Sequence, residues 1–256
     1  MIRKEGFKKA IDLFLISFAS LYFEILFIRW IPSSIQIIAY FANIILISAF
    51  LGLGLGCMLT ERKINLLRLF PYLILNIIVL LIIFSNVTVK AGFIKGEHLL
   101  GIYGSQGVNF LFIIGLVFIF NTLIFIPLGQ KLGLCLKDFK PLVAYSINIF
   151  GSIIGVVAFS CLSYLMLPPF YWFLFGLSVM LWFYINTKKQ LFFQIFVFVL
   201  TLLLITQINP KSFWSPYYKI DIYPYVSRIS NKVIGLFISA NNTHHQYAFN
   251  LTEKSV

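Results

Sequence analysis

Two charged residues interrupt an apolar run near the N-terminus: Glu24 and Arg29, within Tyr22-Phe-Glu-Ile-Leu-Phe-Ile-Arg-Trp30. A charge at the centre of a membrane helix costs roughly 2.5–3.5 kcal/mol on insertion scales, so each needs a partner or a task. Five residues apart, they differ by about 140° around a helix and pair poorly compared with a spacing of three or four. Arg29 lies near the outer end of the run and reads as an interface anchor, its head snorkelling to water. Glu24 is deeper and has to find a partner on another helix. Asn43, Asn121, Asn148 or a backbone group are the candidates. A structural clamp and a substrate or proton site both fit Glu24.

The remaining polar residues offer less. Gln130, Lys131 and Asp138 cluster near the end of a later apolar run, where Lys131 reads as an anchor. Asn76 and Asn148 can hydrogen-bond between helices without a catalytic role. Cys57, Cys135 and Cys161 lie in or beside apolar runs, without metal-ligand spacing or a disulfide framework, and read as small packing residues. His244 and His245 are adjacent in a strand-like segment, so they point to opposite faces and make a poor chelating pair. No metal site and no catalytic residue is expected. Three matches to the glycosylation acceptor, at Asn86, Asn241 and Asn250, are near chance in an Asn-rich chain.

The elements around these residues are apolar spans. At 60% apolar and 11% charged residues, the composition lies far from the soluble average of about half and a quarter, and repeated runs are long enough to cross a hydrocarbon core of about 30 Å. The net charge of +12 sits in short clusters between those runs, where it sets topology and meets anionic lipid; nucleic acid is not an expected partner. Seven spans are predicted, at residues 10–31, 34–59, 66–84, 108–128, 142–167, 170–185 and 191–208. Pro32 and the pair Pro168-Pro169 separate neighbouring spans. The first span is too long, and too charged, for a cleaved signal peptide.

Lys and Arg mark alternate connections: Arg3, Lys4, Lys8 and Lys9; Arg62, Lys63 and Arg68; Lys131, Lys137 and Lys140; Lys188 and Lys189. The N-terminus is therefore predicted to be cytoplasmic. Seven spans then leave the tail on the far side; a sixth or seventh span that does not cross would return it. Three G-x-x-x-G pairs, Gly52 with Gly56, Gly129 with Gly133 and Gly151 with Gly155, predict close helix packing. The run Gly52-Leu-Gly-Leu-Gly56 sits inside a span, which excludes a phosphate loop.

Residues 1–208 thus read as a membrane module, an all-α polytopic bundle, and residues 209–256 as the start of a soluble β-rich domain with a short C-terminal hairpin. Strands are predicted at 217–223, 233–239 and 244–251, with a turn at Asn241-Asn242-Thr243. The segment stops before any helix, Gly-rich turn or catalytic carboxylate, and is expected to be truncated.

In this order the motifs resemble membrane-anchored spermidine-synthase-like (polyamine aminopropyltransferase-like) proteins. Phe18-Ala-Ser-Leu-Tyr-Phe-Glu-Ile-Leu-Phe-Ile-Arg29 and Ala49-Phe-Leu-Gly-Leu-Gly-Leu-Gly56 are similar to that family's first two helices. Ala144-Tyr-Ser-Ile-Asn-Ile-Phe-Gly-Ser-Ile-Ile-Gly155, followed by Leu167-Pro-Pro, resembles its Tyr-x-x-Asn-x-x-Gly-x-x-x-Gly helix. Trp214-Ser-Pro-Tyr-Tyr-Lys-Ile220 resembles the strand that opens the synthase domain, and Asn242-Thr-His-His-Gln246 the hairpin leading to the polyamine pocket.

The resemblance implies a Rossmann-like catalytic domain that binds decarboxylated S-adenosylmethionine or a relative, with an acidic residue assisting amine attack. Neither its Gly-rich turn nor that acid occurs in this chain. Tyr217, Tyr218, His245 and Gln246 map to the hairpin that shapes the substrate site in that family. The expected role is an anchor module in the bacterial inner membrane, lipid-embedded, unable to transfer aminopropyl groups alone, with the synthase domain missing or separately encoded. The rival is a small-solute transporter or channel using Glu24.

Overall fold

The computed structural model describes residues 2–62, 64–85, 89–90, 108–185, 188–208, 212–226 and 233–249. Eight α-helices precede a small antiparallel sheet. They are α1 (Ile2–Ser34), α2 (Gln36–Tyr40), α3 (Asn43–Met58), α4 (Phe70–Ser85), α5 (Phe110–Leu136), α6 (Pro141–Tyr164), α7 (Pro169–Leu181) and α8 (Lys188–Ile205). Among the described residues, five helical stretches are long and apolar enough to cross a bilayer: Glu5–Ser34, Asn43–Glu61, Leu66–Phe84, Leu111–Leu136 and Pro141–Tyr164. Pro169–Tyr184 and Gln190–Ile205 are shorter apolar helices, in place of the sixth and seventh predicted spans.

The first predicted break shifts. α1 continues through Pro32 and ends at Ser34, and the chain turns extended at Ile35 (φ −128°, ψ 116°). A proline in the last turn removes only one late hydrogen bond. Ser33 and Ser34 both donate their hydroxyls to the Trp30 carbonyl, which keeps this end satisfied. The second predicted span is broken: α2 lasts one turn, Phe41 and Ala42 form a bend, and α3 begins at Asn43. α5 runs through Pro127 to Leu136 instead of stopping near residue 128. α6 ends at Tyr164, and a left-handed φ of 56° at Met166 lets Met166 and Leu167 donate to the carbonyls of Ser163 and Leu162 ahead of Pro168.

Glycines fix which helices touch. A Cβ on Gly52 would collide with the Thr122 carbonyl, one on Gly56 with the Ile126 carbonyl, and one on Gly129 with Leu53. α3 and α5 therefore lie backbone to backbone and run parallel. α1 and α6 form a second parallel pair: a Cβ on Gly151 would lie 2.6 Å from Phe14 O, and one on Gly155 2.5 Å from Phe18 O. α7 is antiparallel to α1, since Tyr22 donates to Trp172 O (2.7 Å) and Trp182 Nε1 to Asp12 (2.8 Å).

The basic connections collect at the end of the bundle where α1 begins. There Lys9 pairs with Asp138 (3.0 Å) and Lys137 approaches Glu61 (3.9 Å). Gln130 donates to the carbonyls of Leu59 and Ile64 and accepts from Leu66 N, so one buried amide fastens the whole α3–α4 connection. At the opposite end stand the last turn of α1, the end of α6 and the sheet.

A two-residue parallel pair joins β1 (Val89–Lys90) to β2 (Val108–Asn109). The main sheet is a meander, β3 (Phe213–Trp214), β4 (Lys219–Val226), β5 (Val233–Ala240) and β6 (Thr243–Phe249), in the order β3-β4-β5-β6. β4, β5 and β6 fall on the three strands predicted from sequence, and β3 adds a fourth to the predicted hairpin. Asn241 and Asn242, with φ of 49° and 62°, form the tight β5–β6 turn, for which positive φ at both central residues is the favoured geometry. Tyr225 lies across from Gly235, which pairs with Phe249 on the other side, so aromatic rings cover the position without a side chain. Predicted features at Asn86, Asn250 and Lys63 lie outside the described residues, as do the side chains of Arg3, Lys4, Lys188, Lys189 and His244.

The run Gly52-Leu-Gly54-Leu-Gly56 gives an internal control, because nothing lies within 4 Å of a Cβ on Gly54. Gly52→Leu and Gly56→Leu should each destabilise the protein by more than about 3 kcal/mol, the upper range of overpacking, while Gly54→Leu stays within about 0.5 kcal/mol. Thermal unfolding in detergent measures all three.

Candidate functional site

The polar residues of interest converge where the sheet meets the bundle. Arg29, on the last turns of α1, directs its guanidinium at the chain's own backbone: Nη1 donates to Pro216 O (2.7 Å) and Nη2 to Ser215 O. Its Cζ lies 4.7 Å from the Trp172 ring centroid and 5.9 Å from that of Trp214. The two indoles pack edge to face at 4.9 Å. Ser163, at the end of α6, adds a hydroxyl bond to the same Pro216 carbonyl (2.9 Å). The loop between β3 and β4 is thus gripped by three helices. Hydrogen bonds from a charged donor stabilise by about 1.5–3 kcal/mol each, more than neutral ones, and a cation over indole adds to them.

Beside this clamp lies a buried ion pair. Lys219 Nζ is 3.0 Å from Asp221, and the Lys219 side chain is only 1% exposed. Lys219 also donates to Asn242 Oδ1 (2.5 Å), Ser212 donates to Asp221, and Asn242 Nδ2 donates to Ser33 O at the end of α1 (2.8 Å). Asn241 accepts from Lys219 N (2.9 Å). The pair is enclosed in a network that ties the β5–β6 turn to the membrane helix. Burial lowers the Lys219 pKa from its ordinary 10.5, with the Asp221 carboxylate acting in the opposite sense.

Of the hairpin residues, Tyr218 and His245 line one cleft of about 460 Å³ between the sheet and α2, together with Ala39, Tyr40, Ile220 and Ile238. Tyr217 is 79% exposed and stands apart from it. Gln246 is exposed on β6, outside the cleft lining.

Glu24 lies elsewhere, in the interior of the bundle. It is 3% exposed, and its Oε2 has no hydrogen-bond partner. Asn121 is committed to Ile45 O (3.0 Å) and Ser48 (2.7 Å), locking α5 to α3. Asn43 is exposed at the start of α3 and Asn148 half-buried on α6; no hydrogen bond joins either to Glu24. Asn76 turns back onto Tyr72 O in its own helix. Lys131 sits over the Phe183 ring at 5.5 Å. Cys57 reaches Gly129 O (3.4 Å), and all three cysteines are free. Among the described residues no group of His, Cys, Asp and Glu is arranged to hold a metal ion.

Trp172, Ser163 and the Lys219–Asp221 pair carry no motif, and sequence reasoning missed them as parts of the junction. Only the period-two run Lys219-Ile-Asp221 hinted that both ions share one face of a strand.

Fold and site together define a polytopic helical bundle with a sheet clamped to one end. Comparison with family models, with curated proteins and with solved structures gives no match.

Asp221→Asn leaves the Lys219 ammonium buried without its counter-ion and should cost about 3–5 kcal/mol, whereas the double change Lys219→Met, Asp221→Leu should recover most of it. Because the folded protein releases the Lys219 proton before the unfolded chain does, stability should rise with pH from the folded pKa up to 10.5. That rise should be missing in Lys219→Met. Alkaline unfolding curves of the solubilised protein test the sign.

Proposed function

We propose that the chain is a membrane-embedded module that holds its sheet immobile on the end of the bundle remote from the N-terminus, as expected of the anchor part of a spermidine-synthase-like protein. The clamp of Arg29 on the Ser215 and Pro216 carbonyls carries this reading. A flexible linker has no use for an arginine drawn from an inner helix and set beside two indoles.

On this reading α7 and α8 also cross, giving seven spans. The basic connections face the cytoplasm, the N-terminus with them, and the sheet lies on the extracytoplasmic face of the inner membrane. Aminopropyl transfer belongs to a Rossmann-like domain that binds decarboxylated S-adenosylmethionine and is encoded beyond, or beside, this segment.

Reporter fusions test the topology: a fluorescent protein that matures in the cytoplasm should be active at the N-terminus, and alkaline phosphatase after residue 249. Phosphatase that stays inactive there, with the fluorescent protein active after residue 249, overturns the seven-span arrangement. Sequencing past the Val256 codon tests the family reading. A strand, a Gly-x-Gly turn and a downstream Asp support it; their absence from the locus removes it.

The unpartnered Glu24 Oε2 favours one second reading, a polar path for a small solute through the bundle. Glu24→Gln should then abolish solute uptake into proteoliposomes with the melting temperature unchanged. Unaltered uptake removes the transport reading.

A further inference from the structure

The cleft between α2 and the sheet belongs to neither the Arg29 clamp nor the Glu24 region. One wall is Ala39 and Tyr40 of the single-turn helix that interrupts the second apolar span; the other is Tyr218, Ile220, Ile238 and His245. At about 460 Å³ it falls within the roughly 300–1,000 Å³ of small-molecule sites.

Its chemistry selects the class of occupant. No Asp, Glu, Lys or Arg lines it among the described residues. The one carboxylate of β4, Asp221, follows Ile220 and so faces the opposite side of the strand, where Lys219 and Ser212 occupy it. Two of the polar groups on the walls are committed: the Thr243 hydroxyl donates to Ala240 O (2.6 Å), and the Asn241 side chain accepts from Lys219 N. What is left is a mostly apolar slot fringed by the Tyr40 and Tyr218 rings and the His245 imidazole. A polyamine carries several ammonium groups, whose desolvation demands carboxylates that this slot lacks. An uncharged hydrocarbon chain with one hydrogen-bonding head loses little by entering.

Position gives the route. α2 starts two residues after α1 ends, at the level of Ser33 and Arg29, where the bundle gives way to the polar sheet. In a membrane protein that level is the boundary between hydrocarbon and headgroups, where amphiphiles are concentrated and tyrosine rings are favoured. We infer that the cleft between α2 and the sheet binds a neutral single-chain amphiphile, an alcohol or ester, that enters from the membrane surface. The inference rests on the membrane reading and not on the synthase-like one.

The test uses the full chain in nanodiscs with a diazirine-bearing hexadecanol as photoprobe, its adducts mapped by mass spectrometry. Adducts should form on Tyr40, Tyr218 and Ile238 and be competed by unlabelled hexadecanol but not by spermidine. Ala39→Trp, which fills one wall, should cut labelling of the cleft about tenfold, equivalent to about 1.4 kcal/mol of binding. Ile238→Trp should do the same from the other wall, so a folding defect in either variant leaves the other to decide. Adducts on the wild-type chain confined to the outward faces of α6 and α8 overturn the assignment. So does displacement by spermidine, or labelling that survives both substitutions. Reporter fusions that reverse the sheet's side would leave this result intact, so the two failures are separable.

Discussion

The structure turns on one guanidinium. Arg29 brings its guanidinium to the end of α1, where Nη1 and Nη2 donate to backbone carbonyls in the loop that opens the sheet. Taking them fixes the sheet's place, because the same loop carries Trp214 into contact with Trp172 and presents Pro216 O to Ser163. A cation that is costly in the bundle thereby becomes, with the buried Trp214, the fastener of the sheet. The Lys219–Asp221 pair repeats that logic in the sheet. Both ions are buried: Lys219 is held by its partner and by the turn that rests on Ser33, and Asp221 by its partner and by Ser212.

Below the junction, the bundle depends on backbone approach. Lipid offers no hydrophobic drive for helices to associate, so packing and interhelical hydrogen bonds have to supply it. Two parallel pairs do so, α3 with α5 and α1 with α6, each having glycines pressed on a neighbour's carbonyls. Parallel pairing of helices that are not adjacent in sequence requires an intervening element to return the chain. α4 does this for the first pair. Gln130 holds that return in place by satisfying three backbone groups of the connection at once, which a side chain in lipid does only when the alternative is leaving them unpaired.

Much of this was legible in the sequence, and what was not has physical reasons. Apolar runs gave the long helices, and the spacing of Gly52, Gly56, Gly151 and Gly155 marked faces that do meet other backbones. The alternation in β4 and the Asn-Asn turn marked the strands. The bend at Phe41 and Ala42 was illegible because Gln36-Ile-Ile-Ala-Tyr-Phe-Ala-Asn43 contains neither Gly nor Pro. α2 packs against α1 and α5, a tertiary contact that no local pattern marks. The extension of α1 past Pro32 and α5 past Pro127 was hidden for the converse reason, since a proline in a bundle does not have to end its helix. Arg29 stood out as a charge, but its partners are carbonyls, which every residue has, so no pattern names them.

Glu24 shows where a charge in an apolar helix acquires meaning from its surroundings. Arg29, five residues on, has used its two terminal nitrogens and points toward the sheet. The helices α3, α4, α6 and α7 contain no Lys, Arg or His, and the single lysine inside α5, Lys131, lies toward the other end against Phe183. A carboxyl oxygen with no donor near it, in a bundle whose other interior polar groups are largely tied to backbone, fastens no two helices together. The same comparison separates it from Asn121 and Gln130, whose amides hold helices together and whose chemistry goes no further.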